Sequence, residues 1–282
     1  MSKRISGNPF IINTSPRDKA GSGETDSSFG NRDQPTYNQM MMESKKDEAT
    51  RRVIGILGGM GPEATLDLYR HIIRLTPAGR DQDHIRVLIY SNPKIPDRTK
   101  AIAEKGESPL PHLIESAKVL EKGGAGIIAM PCNAAHHYLT EIQQSVRIPF
   151  LDMIQETARR LRMRLPHAKT VGLIASIGTV FSGVYAQTFS RSGVNVLMPG
   201  EEDQQRIEAA INQVKTGIHN RSTQEAFQSI GLQLIKTGAE AIILGCTEVP
   251  LAFDANDVSY PSLNSTKILA EAAVDWALGN GE

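Results

Sequence analysis

The chain has few cysteines and few aromatic residues, and it has no excess of charge of either sign. Only two of its 282 residues are cysteines, and 31 basic residues balance 31 acidic ones. Two cysteines in a chain of this length exclude a disulfide framework, so we expect free thiols in a reducing, cytoplasmic environment. The balanced charge gives no electrostatic reason to bind nucleic acid or an anionic membrane.

Long hydrophobic runs are also missing. No apolar stretch approaches the roughly 18 residues that span a bilayer, and no apolar signal segment follows Lys3 and Arg4. We therefore expect neither a membrane protein nor a secreted one.

The first 50 residues differ in composition from the rest of the chain. They contain five Ile, Leu, Val or Phe residues against eighteen Gly, Pro, Ser or Asn residues. Such a segment buries too little apolar surface to offset the entropy lost on ordering, so residues 1–50 are predicted to form a disordered tail. The first 23 residues carry one acidic and four basic side chains, which leaves an organelle-targeting signal as an alternative.

From residue 52 onward, short apolar runs alternate with amphipathic stretches. The runs predict buried strands at 53–57, 87–90, 126–130, 171–175 and 241–244. The stretches predict helices from 63 onward and at 109–122, 135–145, 154–165, 183–192, 204–216, 223–236 and 265–278. This alternation is typical of an α/β protein whose parallel sheets are covered on both faces.

The sequence also repeats itself. Residues 120–133 align without gaps on residues 234–247, and six of the fourteen positions are identical, among them Cys132 and Cys246. The starts of the two halves match as well, at 54–57 and 171–174. We therefore predict two pseudo-symmetric, Rossmann-like domains with the active site in the cleft between them. The tail would be followed by a first domain of residues 51–149 and 264–282 and a second of residues 150–263.

Each half ends a buried strand with one of the two cysteines of the chain. Ligands of open α/β sheets bind at the carboxyl ends of the strands, so Cys132 and Cys246 are expected to face each other across the cleft. A following helix N-terminus would lower the pKa of each thiol and favour the thiolate. An opposed acid and base on one carbon is what a racemase requires. The alternatives for each cysteine are a small core residue and, less simply, a disulfide between the two.

Five stretches of the sequence resemble the aspartate/glutamate racemase family. They read IGILGGMGPEAT at 54–65, NPKIPDRT at 92–99, MPCNAAH at 130–136, VGLIA at 171–175 followed by Gly178 and Thr179, and IILGCTEVP at 242–250. The resemblance runs from about Val53 to Leu278. It implies two α/β domains, usually in a homodimer, without pyridoxal phosphate or metal, acting on a small amino-acid substrate. It also implies that the helix from Ser265 packs on the first domain.

The resemblance assigns the paired proton-transfer roles to Cys132 and Cys246. It places Met60, Arg98, Asn133 and Thr247 around the substrate, and less securely Lys215. Two departures concern the substrate: Ala134 replaces the usual threonine, and Asn264 replaces the usual aspartate.

Chemistry suggests further roles around the cysteines. The backbone N–H groups at Asn133, Ala134, Thr247 and Glu248 could stabilise developing negative charge, although Asn133 and Thr247 could equally be simple helix caps. Arg98 suits a distal carboxylate because its guanidinium binds in bidentate fashion, whereas an ordinary surface charge is the alternative for both Arg98 and Lys215.

The remaining candidate side chains also have two interpretations each. Thr99 follows Arg98 in the same motif, and Thr179 could line the cleft or start a helix. Glu248 could hold the substrate ammonium group, adjust the thiol of Cys246 or cap a helix. His136 lies one helical turn after Cys132, where packing or hydrogen bonding is favoured over a zinc site.

Other functions have specific weaknesses. Residues 59–64 fit a G-x-G-x-x-A dinucleotide fingerprint, but Glu63 would repel pyrophosphate at the helix start and no acid follows the second strand for a ribose. The favoured activity is racemisation of aspartate or glutamate. The alternatives are a cysteine-dependent isomerase or decarboxylase of maleate, arylmalonate or hydantoin type, and a non-catalytic amino-acid-binding protein.

Overall fold

Eight short strands form two parallel sheets in the described part of the chain. The computed structural model describes residues 52–253 and 257–280, so the predicted tail lies outside the described residues. The first sheet contains β1 (Val53–Gly58), β2 (Arg86–Ser91), β3 (Ile127–Ala129) and β4 (Phe150–Leu151), in the order β2-β1-β3-β4. The second contains β5 (Thr170–Ile174), β6 (Asn195–Leu197), β7 (Ile242–Leu244) and β8 (Ser262–Asn264), in the order β6-β5-β7-β8.

The two sheets therefore have the same strand order, and every recorded strand pair is parallel. Strand β1 occupies the place in its sheet that β5 occupies in the other, and β3 corresponds to β7. This confirms the predicted α/β class with two similar parallel sheets.

Helices cover the sheets. They are α1 (Pro62–Leu75), α2 (Arg98–Ala103), α3 (Leu110–Lys122), α4 (Leu139–Gln143), α5 (Met153–Arg164), α6 (Ile177–Ser182), α7 (Val184–Ser190), α8 (Glu201–Lys215), α9 (Arg221–Lys236), α10 (Val249–Ala252) and α11 (Ser265–Leu278). Two 3-10 helices, Asp81–Asp83 and Ala134–Tyr138, lie between them. None of the described helices is both long enough and apolar enough to cross a bilayer.

The sheets are built from strands that are apolar on both faces. In β1, Ile54, Ile56 and Leu57 are all fully buried, and each side chain contributes about 1.5–3 kcal/mol when removed from water. The alternate residues Ile54 and Ile56 face one hydrophobic cluster, which also contains buried residues of α1 and α11, while Leu57 faces another. Helix α11 thus packs at the first sheet although it follows β8 of the second.

The sequence-based prediction differs from the structure at several short elements. Strands β4, β6 and β8 were not predicted, because none of them is buried along its whole length as the three-residue strands β3 and β7 are. The helix predicted at 135–145 begins as the 3-10 helix Ala134–Tyr138 and continues as α4. The helix predicted at 183–192 is α7, and a separate helix, α6, precedes it. Gly183 separates the two because its φ of 68° lies in the left-handed region.

Candidate active site

The two cysteines follow corresponding strands. Cys132 lies three residues after β3 and Cys246 two residues after β7, at the carboxyl end of each strand. Both thiols are free, and both residues are 7% exposed. They line one cleft between the two halves of the molecule, which we call the cysteine cleft.

The cysteine cleft brings together all eleven residues that the sequence suggested as catalytic or substrate-binding. Its lining consists of Met60, Asp97, Arg98, Thr99, Cys132, Asn133, Ala134, Ser176, Thr179, Lys215, Cys246, Thr247 and Glu248. The space between these residues is about 340 Å³.

A buried histidine fixes the turn that carries Cys132. His136 Nε2 accepts a hydrogen bond from the Met153 backbone N–H at 3.1 Å, so Nδ1 carries the proton and donates it to the Cys132 carbonyl at 2.9 Å. Burial lowers the pKa of His136, although nearby Asp152 opposes this. Both ring nitrogens of the neutral imidazole have protein partners, which agrees with the predicted hydrogen-bonding role for His136.

A carboxylate lies beside the second thiol. Cys246 Sγ donates to Glu248 Oε2 at 3.0 Å, and Thr247 Oγ1 donates to the same oxygen at 3.2 Å. Burial, and then the negative charge of Glu248, raise the pKa of the Cys246 thiol well above its usual value, against the opposing effect of Lys215. The expectation that a helix N-terminus would favour a thiolate is therefore wrong for Cys246. The following helix α10 has only four residues, and the carboxylate is closer.

Arg98 is the first residue of α2. Asp97 caps this helix by accepting from the Lys100 backbone N–H at 3.0 Å. The Arg98 Nη1 group donates to the carbonyls of Ile95 and Pro96, and Nη2 donates to that of Met60 at 3.4 Å. Arg98 Nε is buried and has no hydrogen-bond partner within the described residues. The edge of the guanidinium formed by Nε and Nη2 therefore retains donors for a bound carboxylate.

Lys215, the last residue of α8, adds a second positive charge to the cleft. Burial alone would lower the pKa of Lys215, but its interactions with Cys246, Glu248 and Asp97 outweigh burial and raise it. For Asp97, burial would raise the pKa, but the Lys100 hydrogen bond and the charges of Arg98 and Lys215 lower it. The cleft thus contains two cations and two carboxylates.

The walls of the cleft meet where α2 and α6 begin. A Cβ atom on Gly178 of α6 would lie 2.7 Å from both Cα and Oγ1 of Thr99 in α2. On the same turn, Ser176 caps α6 through the Thr179 backbone N–H, and its hydroxyl lies 3.1 Å from Thr179 Oγ1. Thr99 and Thr179 therefore lie where the two walls of the cleft approach each other.

Two cleft residues, Asp97 and Ser176, were missed at the sequence level. Both are N-caps, and each stands immediately before a helix of six residues. An Asp or Ser at this position is a recognised helix-start signal, but helices of six residues are too short to show the apolar periodicity that would draw attention to the cap.

Asn133 is held by residues from the other half of the chain. Its Oδ1 accepts from the Tyr185 hydroxyl at 2.7 Å, and its Nδ2 donates to Ser265 Oγ at 3.3 Å. Ala134 begins the 3-10 helix after Cys132 and lines the cleft with a methyl group. The side chain of Asn133 is therefore not the simple helix cap that the sequence left open, since no side-chain capping bond is present.

Known proteins resemble the chain over most of its length. A sequence profile described as Asp/Glu/Hydantoin racemase matches residues 57–273. The broad specificity amino-acid racemase RacX of Bacillus subtilis (strain 168) is 31% identical over 237 residues, which cover 80% of this chain and 98% of RacX.

Solved structures share the fold. The aspartate racemase of Picrophilus torridus superposes with a TM-score of 0.71 at 32% identity, covering 80% of this chain and 94% of that one. The glutamate racemase of Francisella tularensis in complex with D-glutamate superposes with a TM-score of 0.62 at 18% identity, covering 82% of each chain. At that identity the second structure supports the fold alone.

Proposed function

This chain belongs to the Asp/Glu/Hydantoin racemase family, and we propose that it racemises an acidic amino acid, aspartate or glutamate, with Cys132 and Cys246 as the two acid–base groups. Membership of an amino-acid racemase family makes the protein an isomerase. The substrate and the two-cysteine mechanism are the parts that we propose. The observation that best supports this substrate and mechanism is that both thiols line the same cleft, one from each half of the molecule.

The proposed reaction moves one proton on each face of the α-carbon. The thiolate of one cysteine takes the Cα proton, so that an S–H bond forms while the C–H electrons remain on a carbanion-like centre. The thiol of the other cysteine then gives its proton to the opposite face and becomes a thiolate. The amino acid is inverted and the two sulfurs have exchanged protonation states, so the reverse direction uses the same groups in opposite roles.

The surroundings of Cys246 suggest which cysteine acts as the acid first. Its thiol donates to Glu248, and the raised pKa keeps it protonated in the free protein. We propose that Cys246 enters as the proton donor and Cys132 as the base. The isomer whose Cα–H faces Cys132 then reacts directly with this form, whereas its mirror image requires Cys246 to lose its proton first.

The charges of the cleft support an acidic substrate. The unpartnered Nε of Arg98 and the adjacent Nη2 offer two parallel donors to a distal carboxylate, and the positive charge of Lys215 lines the same cleft. Glu248 supplies a negative charge for the α-ammonium group. Thr99, Thr179, Thr247 and the backbone at Asn133 and Ala134 complete the polar lining.

The relatives differ in the breadth of the substrates that their names give. The Picrophilus protein is an aspartate racemase, and RacX is a racemase of broad specificity. Both are more than 30% identical to this chain, so substrate breadth is the first property to measure.

The test is exchange of the Cα proton with solvent. The protein in D₂O, without added cofactor, should incorporate deuterium into L- and D-aspartate or glutamate, followed by NMR, and chiral chromatography should show interconversion. The single variants Cys132→Ala and Cys246→Ala should each lose racemisation while remaining folded. Racemisation by Cys246→Ala at the parent rate would refute the two-cysteine mechanism.

A panel of amino acids decides the substrate. Faster turnover of aspartate or glutamate than of alanine and lysine supports the proposed acidic class. Equal rates across the panel would show that Arg98 and Lys215 do not select the side chain.

A further inference from the structure

A buried chain of hydrogen bonds connects the turns that carry the two cysteines. The Tyr185 hydroxyl donates to Asn133 Oδ1 at 2.7 Å, Asn133 Nδ2 donates to Ser265 Oγ at 3.3 Å, and Ser265 Oγ donates to the Leu244 carbonyl at 2.8 Å. Asn133 directly follows Cys132, and Leu244 stands two residues before Cys246. The bonds from Asn133 through Ser265 to Leu244 therefore link one cysteine turn to the other, and Tyr185 fixes the Asn133 amide from its second end.

The residues of this chain come from three distant parts of the sequence. Asn133 belongs to the first half, Tyr185 to α7, and Ser265 is the first residue of α11. All three are buried: Asn133 is 2% exposed, Tyr185 1%, and Ser265 is fully buried. Because water does not reach these groups, each bond lost here leaves a polar atom unpaired.

Every member of the chain has a defined donor or acceptor role. Burial raises the pKa of Tyr185 well above its usual range, so the hydroxyl stays protonated and donates. Ser265 has one hydroxyl proton, which it gives to Leu244, so it accepts from Asn133. These two neighbours fix which end of the Asn133 amide points to which side.

Ser265 is not needed as a helix cap and the Tyr185 hydroxyl is not needed for ring packing, although that hydroxyl also interacts with Ser265 and Thr157. Helix α11 is capped by Asn264, which accepts from the Lys267 backbone N–H, and not by Ser265. The Tyr185 ring packs against Phe189 at 5.7 Å between ring centroids, a contact that a phenylalanine would also make. The two hydroxyl groups thus serve the connection through Asn133.

We propose that Tyr185 and Ser265 are positioning residues that set the separation of the two thiols by holding Asn133. The proposal rests on the proposed two-cysteine function, because a fixed separation matters when one carbon must lie between two sulfurs. Without the connection the turns would shift relative to each other, and a shift of about 1 Å in a reacting group is enough to cost roughly 100-fold in rate.

Kinetics of matched variants test this role. Tyr185→Phe should lower kcat for aspartate or glutamate by about 10- to 100-fold with KM changed by less than about threefold, since the hydroxyl does not line the cleft. Tyr260→Phe is the control, because that buried tyrosine donates to the Gln228 carbonyl outside the cleft, and it should match the parent. Ser265→Ala should resemble Tyr185→Phe.

A double-mutant cycle identifies the residue through which Tyr185 acts. In an Asn133→Ala background the connection is already broken, so adding Tyr185→Phe should change kcat by less than about threefold. If the two effects instead multiply in full, Tyr185 acts elsewhere and the proposal is overturned.

A second readout does not depend on racemisation. Diamide removes two electrons and two protons from a pair of thiols to form a disulfide, which requires the sulfurs to meet. If the connection holds the cysteine turns apart, Tyr185→Phe should form the Cys132–Cys246 disulfide at least about fivefold faster than the parent and Tyr260→Phe, by mass spectrometry of folded protein. Equal rates in all three would overturn the proposal.

The two arms also separate this proposal from the proposed function. If the parent protein has no racemase activity, the proposed function is refuted. The rates of disulfide formation then test the positioning role by themselves. A racemase whose Tyr185→Phe variant keeps both its kcat and its disulfide rate refutes only the positioning role.

Discussion

Gly178 in one wall of the cysteine cleft lies close to Thr99 in the other. An added Cβ on Gly178 would lie 2.7 Å from Thr99 Cα, which is a backbone atom and has no freedom to rotate away. Carbon atoms in contact are normally about 3.5–4.0 Å apart. Gly178→Ala would therefore push the starts of α2 and α6 apart by about 1 Å.

That displacement has a predictable effect on catalysis. Arg98 and Thr99 begin α2, and Thr179 follows Gly178 directly, so both walls of the cleft move. A misplacement of about 1 Å costs roughly 100-fold in kcat/KM. Overpacking of this kind lowers the free energy of unfolding by about 1–3 kcal/mol. The variant should therefore fold and be a poor enzyme.

The assay is kcat/KM for the acidic substrate together with urea unfolding. Gly200→Ala is the matched control, since a Cβ there meets nothing within 4 Å and the backbone φ of −64° suits alanine. We expect Gly200→Ala to keep the parent rate. A Gly178→Ala variant that is folded and has the parent kcat/KM would refute the view that this contact sets the width of the cleft.

Three further predictions follow from the charges of the site. Glu248→Gln removes a negative charge beside Cys246 and should lower the pKa of its thiol. In the reaction direction in which the Cys246 thiolate is the base, kcat should therefore begin to rise at a lower pH than in the parent. Identical pH profiles of kcat in variant and parent would contradict this. Arg98→Ala should lower kcat/KM for aspartate by about 10- to 100-fold, since a charge-assisted hydrogen bond contributes about 1.5–3 kcal/mol. It should lower kcat/KM for alanine, which has no distal carboxylate, much less. An equal loss for both substrates would argue against binding of the distal carboxylate by Arg98. Burial lowers the pKa of His136 in the folded protein. Below the ordinary histidine pKa of about 6.5, the unfolded chain therefore binds a proton at His136 that the folded chain does not bind. As a result, the free energy of unfolding falls as the pH decreases. His136→Gln should show a smaller decrease between pH 7.5 and 5.5 in urea unfolding, and an unchanged decrease would show that other groups cause it.

Much of the fold follows from local pattern. Strand β1 and the strands that precede the two cysteines could be predicted because parallel strands buried on both faces need continuous apolar residues. The repeat of residues 120–133 at 234–247 predicted that Cys132 and Cys246 would occupy equivalent places, and β3 and β7 do occupy equivalent places in their sheets. The boundaries of the two domains remain a prediction.

Short elements escaped prediction for an equally physical reason. Helices of six residues, such as α2 and α6, contain less than two periods of their own pattern, and strands β4, β6 and β8 are not buried along their whole length as β3 and β7 are. They are stabilised by neighbours distant in sequence, and local periodicity does not record those neighbours. Asp97 and Ser176, which cap these helices, were missed along with them.

Apolar runs and a repeat were enough to predict the two parallel sheets and the paired cysteines, while eleven of the thirteen cleft residues came from motifs and from the family resemblance. The state of those residues depends on how the folded chain packs. The folded structure buries the Cys246 thiol and places Glu248 against it, and both effects raise the pKa that a helix N-terminus was expected to lower. The folded structure also joins Asn133 to Tyr185 and Ser265, which lie 52 and 132 positions later in the chain. Hydrogen bonds between such distant side chains arise only when the two halves pack together, so no local pattern encodes them.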